Sequence, residues 1–205
     1  MKEPGSYFTI KNSSEGSFRD RGSKFLAYAY PVTTQEEIKQ HLTELKKEHP
    51  SANHHCYAWK LGAVNDTMRA NDDGEPSGSA GKPILAQIQA KELTNILVVV
   101  VRYFGGTLLG VNGLINAYKN AAADALAKAV TEQRFILNEY SVEFGFDDVS
   151  AVMRLLKEYE ATIISNTYNE TNRIVFRIKQ HRAEQAEKRF AELYRTKLEL
   201  MADEV

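Results

Sequence analysis

One cysteine, one tryptophan and five prolines are spread through 205 residues. With Cys56 alone, neither an intrachain disulfide nor a multi-cysteine zinc site can form. Long apolar runs are missing too. The longest aliphatic stretch, Ile96-Leu97-Val98-Val99-Val100-Val101, falls far short of the roughly 18 residues a membrane span requires. The amino terminus, Met1-Lys2-Glu3-Pro4-Gly5, has no apolar stretch of the secretory kind, so a cytoplasmic location with no membrane partner is expected. Net charge is scarce: −1, from 26 basic against 27 acidic residues, which excludes a strongly basic nucleic-acid binder but not a local basic patch. Residues 1–136 hold 16 basic and 14 acidic side chains and residues 137–205 hold 10 and 13, too slight an asymmetry to name a partner.

What is present reads as globular. A chain that is 43% hydrophobic and 26% charged is not disordered, and its length suits one large domain or two small ones. In the C-terminal part, residues 140–146 alternate like a half-buried strand. Asp147 or Asp148 then caps a helix to about Tyr159, with Val149, Val152, Met153, Leu156 and Tyr159 on one face. Residues 161–168 read as a strand, 169–172 as a turn and 173–178 as a third strand. A helix over 183–194 turns Ala186, Phe190 and Leu193 inward, and 198–200 close as a short strand. The order β-α-β-β-α-β is the ferredoxin-like one.

The first part is less regular. Residues 25–32 are strand-like after an extended approach from Phe18. Thr33-Thr34-Gln35-Glu36 offers a capping box to a helix that buries Ile38, Leu42 and Leu45 and stops at Pro50. A strand over 54–61, a polar loop over 62–81, a short helix over 83–90 and a central strand over 94–103 follow. Next come a glycine turn and an alanine-rich helix over 114–130. The boundary is expected near 131–139, giving domains 1–136 and 137–205.

Three segments can carry chemistry. The loop from Asn71 to Pro83 holds Asp72, Asp73, Glu75 and Lys82, but Arg69 and Ala80 break the calcium-loop template and Pro76 and Pro83 break the P-loop. A solvated turn is the plain alternative. The second segment is Arg102-Tyr103-Phe104-Gly105-Gly106. A glycine turn feeding a helix suits an anion, with Arg102 adding a bidentate contact, while tight packing by the glycines and Ala117, Ala121, Ala122 and Ala125 explains it equally. In the third, His54-His55-Cys56, strand alternation puts His54 and Cys56 on one face. An activated thiolate competes there with a buried, inert cysteine. Arg21 and Lys24 beside Phe25, Tyr28 and Tyr30 form a further weak basic–aromatic match.

Four stretches together resemble the IMPACT family, and in length and layout its bacterial YigZ-type members: residues 23–27, 54–59, 72–85 and 99–110. The last two keep the family's spacing between Gly81 and Gly110. One departure is Asn112, where the family often has glycine, and asparagine tolerates a left-handed turn. The resemblance implies an α+β fold. Its N-terminal domain is similar to the second domain of small-subunit ribosomal protein five and to the fourth of elongation factor G. Its C-terminal ferredoxin-like domain is similar to the fifth of that factor. Eukaryotic relatives act in translational control through an added N-terminal domain. This chain starts almost at the shared part, so that domain's partner is not expected to carry over.

The expectation is an RNA- or ribosome-associated protein that regulates translation without catalysis, with a phosphate-containing ligand and neither cofactor nor metal. Its binding set is Lys24, His54, Asp72, Asp73, Gly74, Glu75, Ser77, Gly78, Gly81, Lys82, Arg102, Tyr103, Gly105, Gly106 and Gly110. Residues 72–83 are expected to fold over the 102–110 turn as one cleft. The rivals are a hydrolase or phosphate-handling enzyme using Asp72, Asp73, Glu75, Lys82, Arg102 and His54, and a module docking through the ferredoxin-like sheet.

Overall fold

The computed structural model describes residues 3–168 and 171–202. It divides into two units, Phe8–Gln133 and a second made of residues 3–7 with 134–202. The chain opens with β1 (Ser6–Ile10), then β2 (Ser14–Asp20) and β3 (Ser23–Pro31). The extended approach to residue 25 is thus a strand of its own, turned back by Arg21 and Gly22, both at positive φ. α1 (Gln35–Glu48) follows. Its capping box closes one residue later than expected: Thr34 Oγ1 accepts from the Glu37 amide, and the Glu37 carboxylate accepts from the Thr34 amide.

β4 (His54–Leu61) and β5 (Thr67–Asn71) form a hairpin, so the expected loop over 62–81 contains a polar edge strand and is irregular in the hairpin turn at 62–66 and from Asp72 to Ala80. α2 (Gly81–Ala90), β6 (Ile96–Tyr103) and α3 (Gly110–Lys128) complete the N-terminal unit. Asn112 lies inside α3, and the left-handed residue is Gly110, with φ 70.

The antiparallel sheet runs β2-β3-β6-β4-β5. Its centre, β6, is buried from Ile96 to Arg102. Alternation therefore feeds two cores. Ile96, Val98 and Val100 pack with Phe25, Ala27, Cys56 and the helices α2 and α3. Leu97, Val99 and Val101 pack with Ile38, Leu45 and Trp59 on the α1 side. The alanine stripe of α3 brings it so close to β2 that a Cβ on Gly16 would stand 2.2 Å from the Ala125 nitrogen.

β7 (Thr131–Phe135) pairs with β1. The C-terminal unit then runs β8 (Leu137–Phe144), α4 (Val149–Glu158), β9 (Thr162–Tyr168), β10 (Asn172–Lys179), α5 (Ala183–Ala191) and β11 (Lys197–Ala202). Its antiparallel sheet order is β11-β8-β10-β9. The expected turn at 169–172 has its first two residues outside the described set. α4 and α5 bury Val152, Leu155, Leu156, Ala186 and Phe190 against Tyr140, Phe144 and Phe176. Two details differ from expectation. Leu155 takes the inward place given to Met153, which is exposed. A 3-10 turn over Phe146–Asp148 precedes α4, and the Asp148 side chain makes no cap bond.

Candidate functional site

Register places His54 of β4 and Phe25 of β3 on either side of Arg102 at the end of β6, all facing α2 and α3. Arg102 is 5% exposed and Glu75, from the loop after β5, is 9% exposed. Burying two charges is tolerable only when they pair and keep their hydrogen bonds. Arg102 Nη1 donates to Glu75 Oε1 at 2.6 Å, and the Tyr118 hydroxyl of α3 donates to the same oxygen at 2.7 Å. His54 Nε2 stands 3.9 Å from it, while His54 Nδ1 pairs with the Asp73 carbonyl at 2.8 Å. The guanidinium also lies over the rings of Phe25 and Phe104, at 5.5 and 5.6 Å.

The loop holds its shape through its own carboxylates. Asp72 accepts from the amides of Gly78, Ala80 and Gly81, and Asp73 accepts from the His55 amide. Burial alone would raise the Asp72 pKa, but those three N–H groups outweigh it and hold the carboxyl below its ordinary value. Gly74 and Gly78 supply left-handed backbone, and Ser77 and Lys82 are exposed, Lys82 lying along Gly78. Asp72, Asp73 and Lys82 therefore do not converge on Arg102. The six-residue catalytic grouping reduces to Arg102, Glu75 and His54.

The second segment resolves toward packing at one glycine. A Cβ on Gly105 would lie 1.9 Å from the Gly22 carbonyl carbon, and the Gly105 amide donates to Ser23 Oγ instead of a ligand. Gly106 and Gly110 are exposed with positive φ. Arg102, expected to contact an anion, has an internal partner in Glu75. Of residues 72–83, Glu75 and Pro76 share a cleft with the 102–110 turn. A cavity of about 410 Å³ is lined by Glu75 and Pro76 from one and by Arg102, Phe104, Leu109 and Gly110 from the other.

Cys56 sits behind this pair, its Sγ 3.0 Å from the Asp72 carbonyl and 3.3 Å from the Tyr118 hydroxyl. Burial pushes the Cys56 thiol and the Tyr118 phenol up, so neither supplies an anion near neutral pH. Sequence reasoning missed Tyr118. Its signal was a lone large polar ring within a helical stripe of alanines.

Alternation separates the remaining expected residues. Lys24 and Tyr103 face α1, opposite to Arg102 and Phe25. On that face Arg19, Lys24 and Tyr103 are direct neighbours across β2, β3 and β6. Tyr28 and Tyr30 lie further along, and burial followed by nearby Glu48 or Tyr28 raises each to about 12. The Tyr28 hydroxyl and the Tyr103 hydroxyl each hydrogen-bond His49 at 2.8 Å.

Among the described residues, no helix is long and apolar enough to cross a membrane and no three His, Cys, Asp or Glu side chains are grouped to hold a metal ion.

Residues 21–126, just over half the chain, match the family described as the Impact N-terminal domain. The IMPACT family member YigZ of Escherichia coli K12 is 35% identical over 186 residues, covering 89% of this chain and 90% of its own. The protein IMPACT homolog of Saccharomyces cerevisiae is 38% identical over 96 residues, 44% of this chain and 36% of the yeast protein. A solved structure described as the crystal structure of an hypothetical protein aligns with a TM-score of 0.69 at 29% identity, over 98% of this chain and 99% of that one. Matched over residues 21–126 by the family and along nearly its whole length by a bacterial relative, this chain belongs to the IMPACT family.

Proposed function

We propose that this chain is an RNA- or ribosome-associated regulator of translation, working in the cytoplasm by binding rather than by catalysis. The observation that carries the reading is the row Arg19–Lys24–Tyr103 on the α1 side of the sheet. Like charges directly opposite each other across two strands destabilise a sheet. Among the described residues, neither Arg19 nor Lys24 makes an ion pair. An anionic partner would relieve that cost, and an aromatic at the end of the row suits a polyanion with stacking bases. Residues Arg19 to Lys24 also line a surface cavity of about 340 Å³, which adds Arg21 to the patch. Membership of the IMPACT family supports the same reading, through the kinship it implies with ribosomal protein five and with the fourth and fifth domains of elongation factor G.

The test is co-sedimentation with ribosomal particles, and filter binding of single-stranded RNA, across a salt series. Arg19→Glu with Lys24→Glu is expected to weaken binding about 10-fold or more and to flatten the salt slope by roughly 0.7 per lost phosphate contact. The melting temperature should hold, because both side chains are exposed. Unchanged binding in that variant would overturn the reading.

A further inference from the structure

The cavity at Arg102 lies on the other side of the sheet from that patch. Its volume of about 410 Å³ falls within the range of small-molecule sites, and Phe104, Leu108, Leu109, Val111 and Leu114 supply apolar walls. Leu108 is 82% exposed, so this rim meets solvent directly. The floor is polar. Arg102 and Tyr118 both address Glu75 Oε1, and among the described residues no hydrogen bond reaches Glu75 Oε2 or Arg102 Nη2. Arg102 Nε is buried with no partner. One carboxylate acceptor thus stands beside one guanidinium donor, and their charges cancel.

That neutrality selects the ligand. An isolated phosphate would carry a net charge into a buried site whose arginine is already neutralised. A neutral planar group with an N–H next to a C=O fits both charges at once, and its flat faces suit aliphatic walls and an aromatic rim.

We propose that this cavity binds one nucleobase with a lactam edge, uracil or guanine. The ring N–H donates to Glu75, and the adjacent carbonyl accepts from Arg102. Adenine and cytosine meet the pair only with an exocyclic amino N–H beside a ring nitrogen, a less acidic and so weaker donor to the Glu75 carboxylate than a lactam N–H. The base comes from a free nucleoside or from single-stranded RNA, and the second source rests on the function proposed above.

Chemical-shift titrations with uridine, guanosine, adenosine and cytidine, beside binding of oligouridylate and oligoadenylate of about eight nucleotides, test this on the full chain. Uridine and guanosine should bind about 10-fold or more tightly than the other two, and oligouridylate should outrank oligoadenylate by a similar factor. Val111→Trp fills the mouth from an exposed position. It should abolish both preferences at unchanged melting temperature. Glu75→Gln should erase the base preference, since an amide both donates and accepts. Selective nucleoside binding without oligonucleotide binding would keep the pocket and remove RNA as its source. Oligonucleotides bound equally, and unaffected by Val111→Trp, would overturn the pocket and leave the RNA reading standing. No binding of any of them would overturn both.

Discussion

The N-terminal unit covers both faces of a five-stranded sheet and buries an ion pair beneath one of them; the C-terminal unit packs two helices on a four-stranded sheet and keeps its charges at the surface. Its pairs, such as Arg177–Glu139 at 2.8 Å or Lys188–Glu184 at 2.6 Å, stay in contact with water. A surface pair adds little, and a buried one adds less than a well-packed apolar replacement would. Arg102–Glu75 is thus poorly explained by stability alone, which is why the candidate site is placed there and not in the second unit.

The widest separation between the units should come from deleting one charge in each. Arg102→Ala strands Glu75 in the interior and is expected to cost about 3–5 kcal/mol, whereas Arg177→Ala should cost at most about 1 kcal/mol. Urea unfolding of both variants measures this, and equal losses would erase the distinction. A smaller contrast concerns glycine. Gly105→Ala drives a Cβ into the Gly22 backbone and should cost roughly 1–3 kcal/mol or more, while Gly145→Ala meets nothing closer than Asp148 Oδ2 at 3.9 Å and should be near neutral. The smallest contrast is at helix starts. Thr34→Ala removes a working cap, about 1 kcal/mol by thermal unfolding; Asp148→Ala, whose side chain caps nothing, should be silent.

Those helix starts also show how far sequence reading went. Thr34 and Asp148 look alike as capping residues, yet Asp148 ends a 3-10 turn, Phe146–Asp148, that only the packed chain reveals. β8, β10, α4 and α5 were legible because each has one apolar face, and β6 because it has two. β1, β5 and β7 were not: Thr67–Asn71 and Thr131–Phe135 are polar strands, and β1 and β7 pair with each other across most of the chain. The candidate site was half legible. The chemistry of residues 72–83 and 102–110 was visible in their composition, and their meeting follows from the β4–β6 register. Lys24 was grouped with Arg102 because register between distant strands cannot be read locally. Alternation then sets them on opposite faces.

One consequence of the central strand concerns that division. Arg102 and Tyr103 are consecutive, their Cα atoms about 3.8 Å apart, yet one closes the cavity floor and the other ends the row with Arg19 and Lys24. A single peptide unit is the common frame of both surfaces. Any shift of one residue along β6 would exchange them and turn both cores inside out together, so this strand admits no change of odd length.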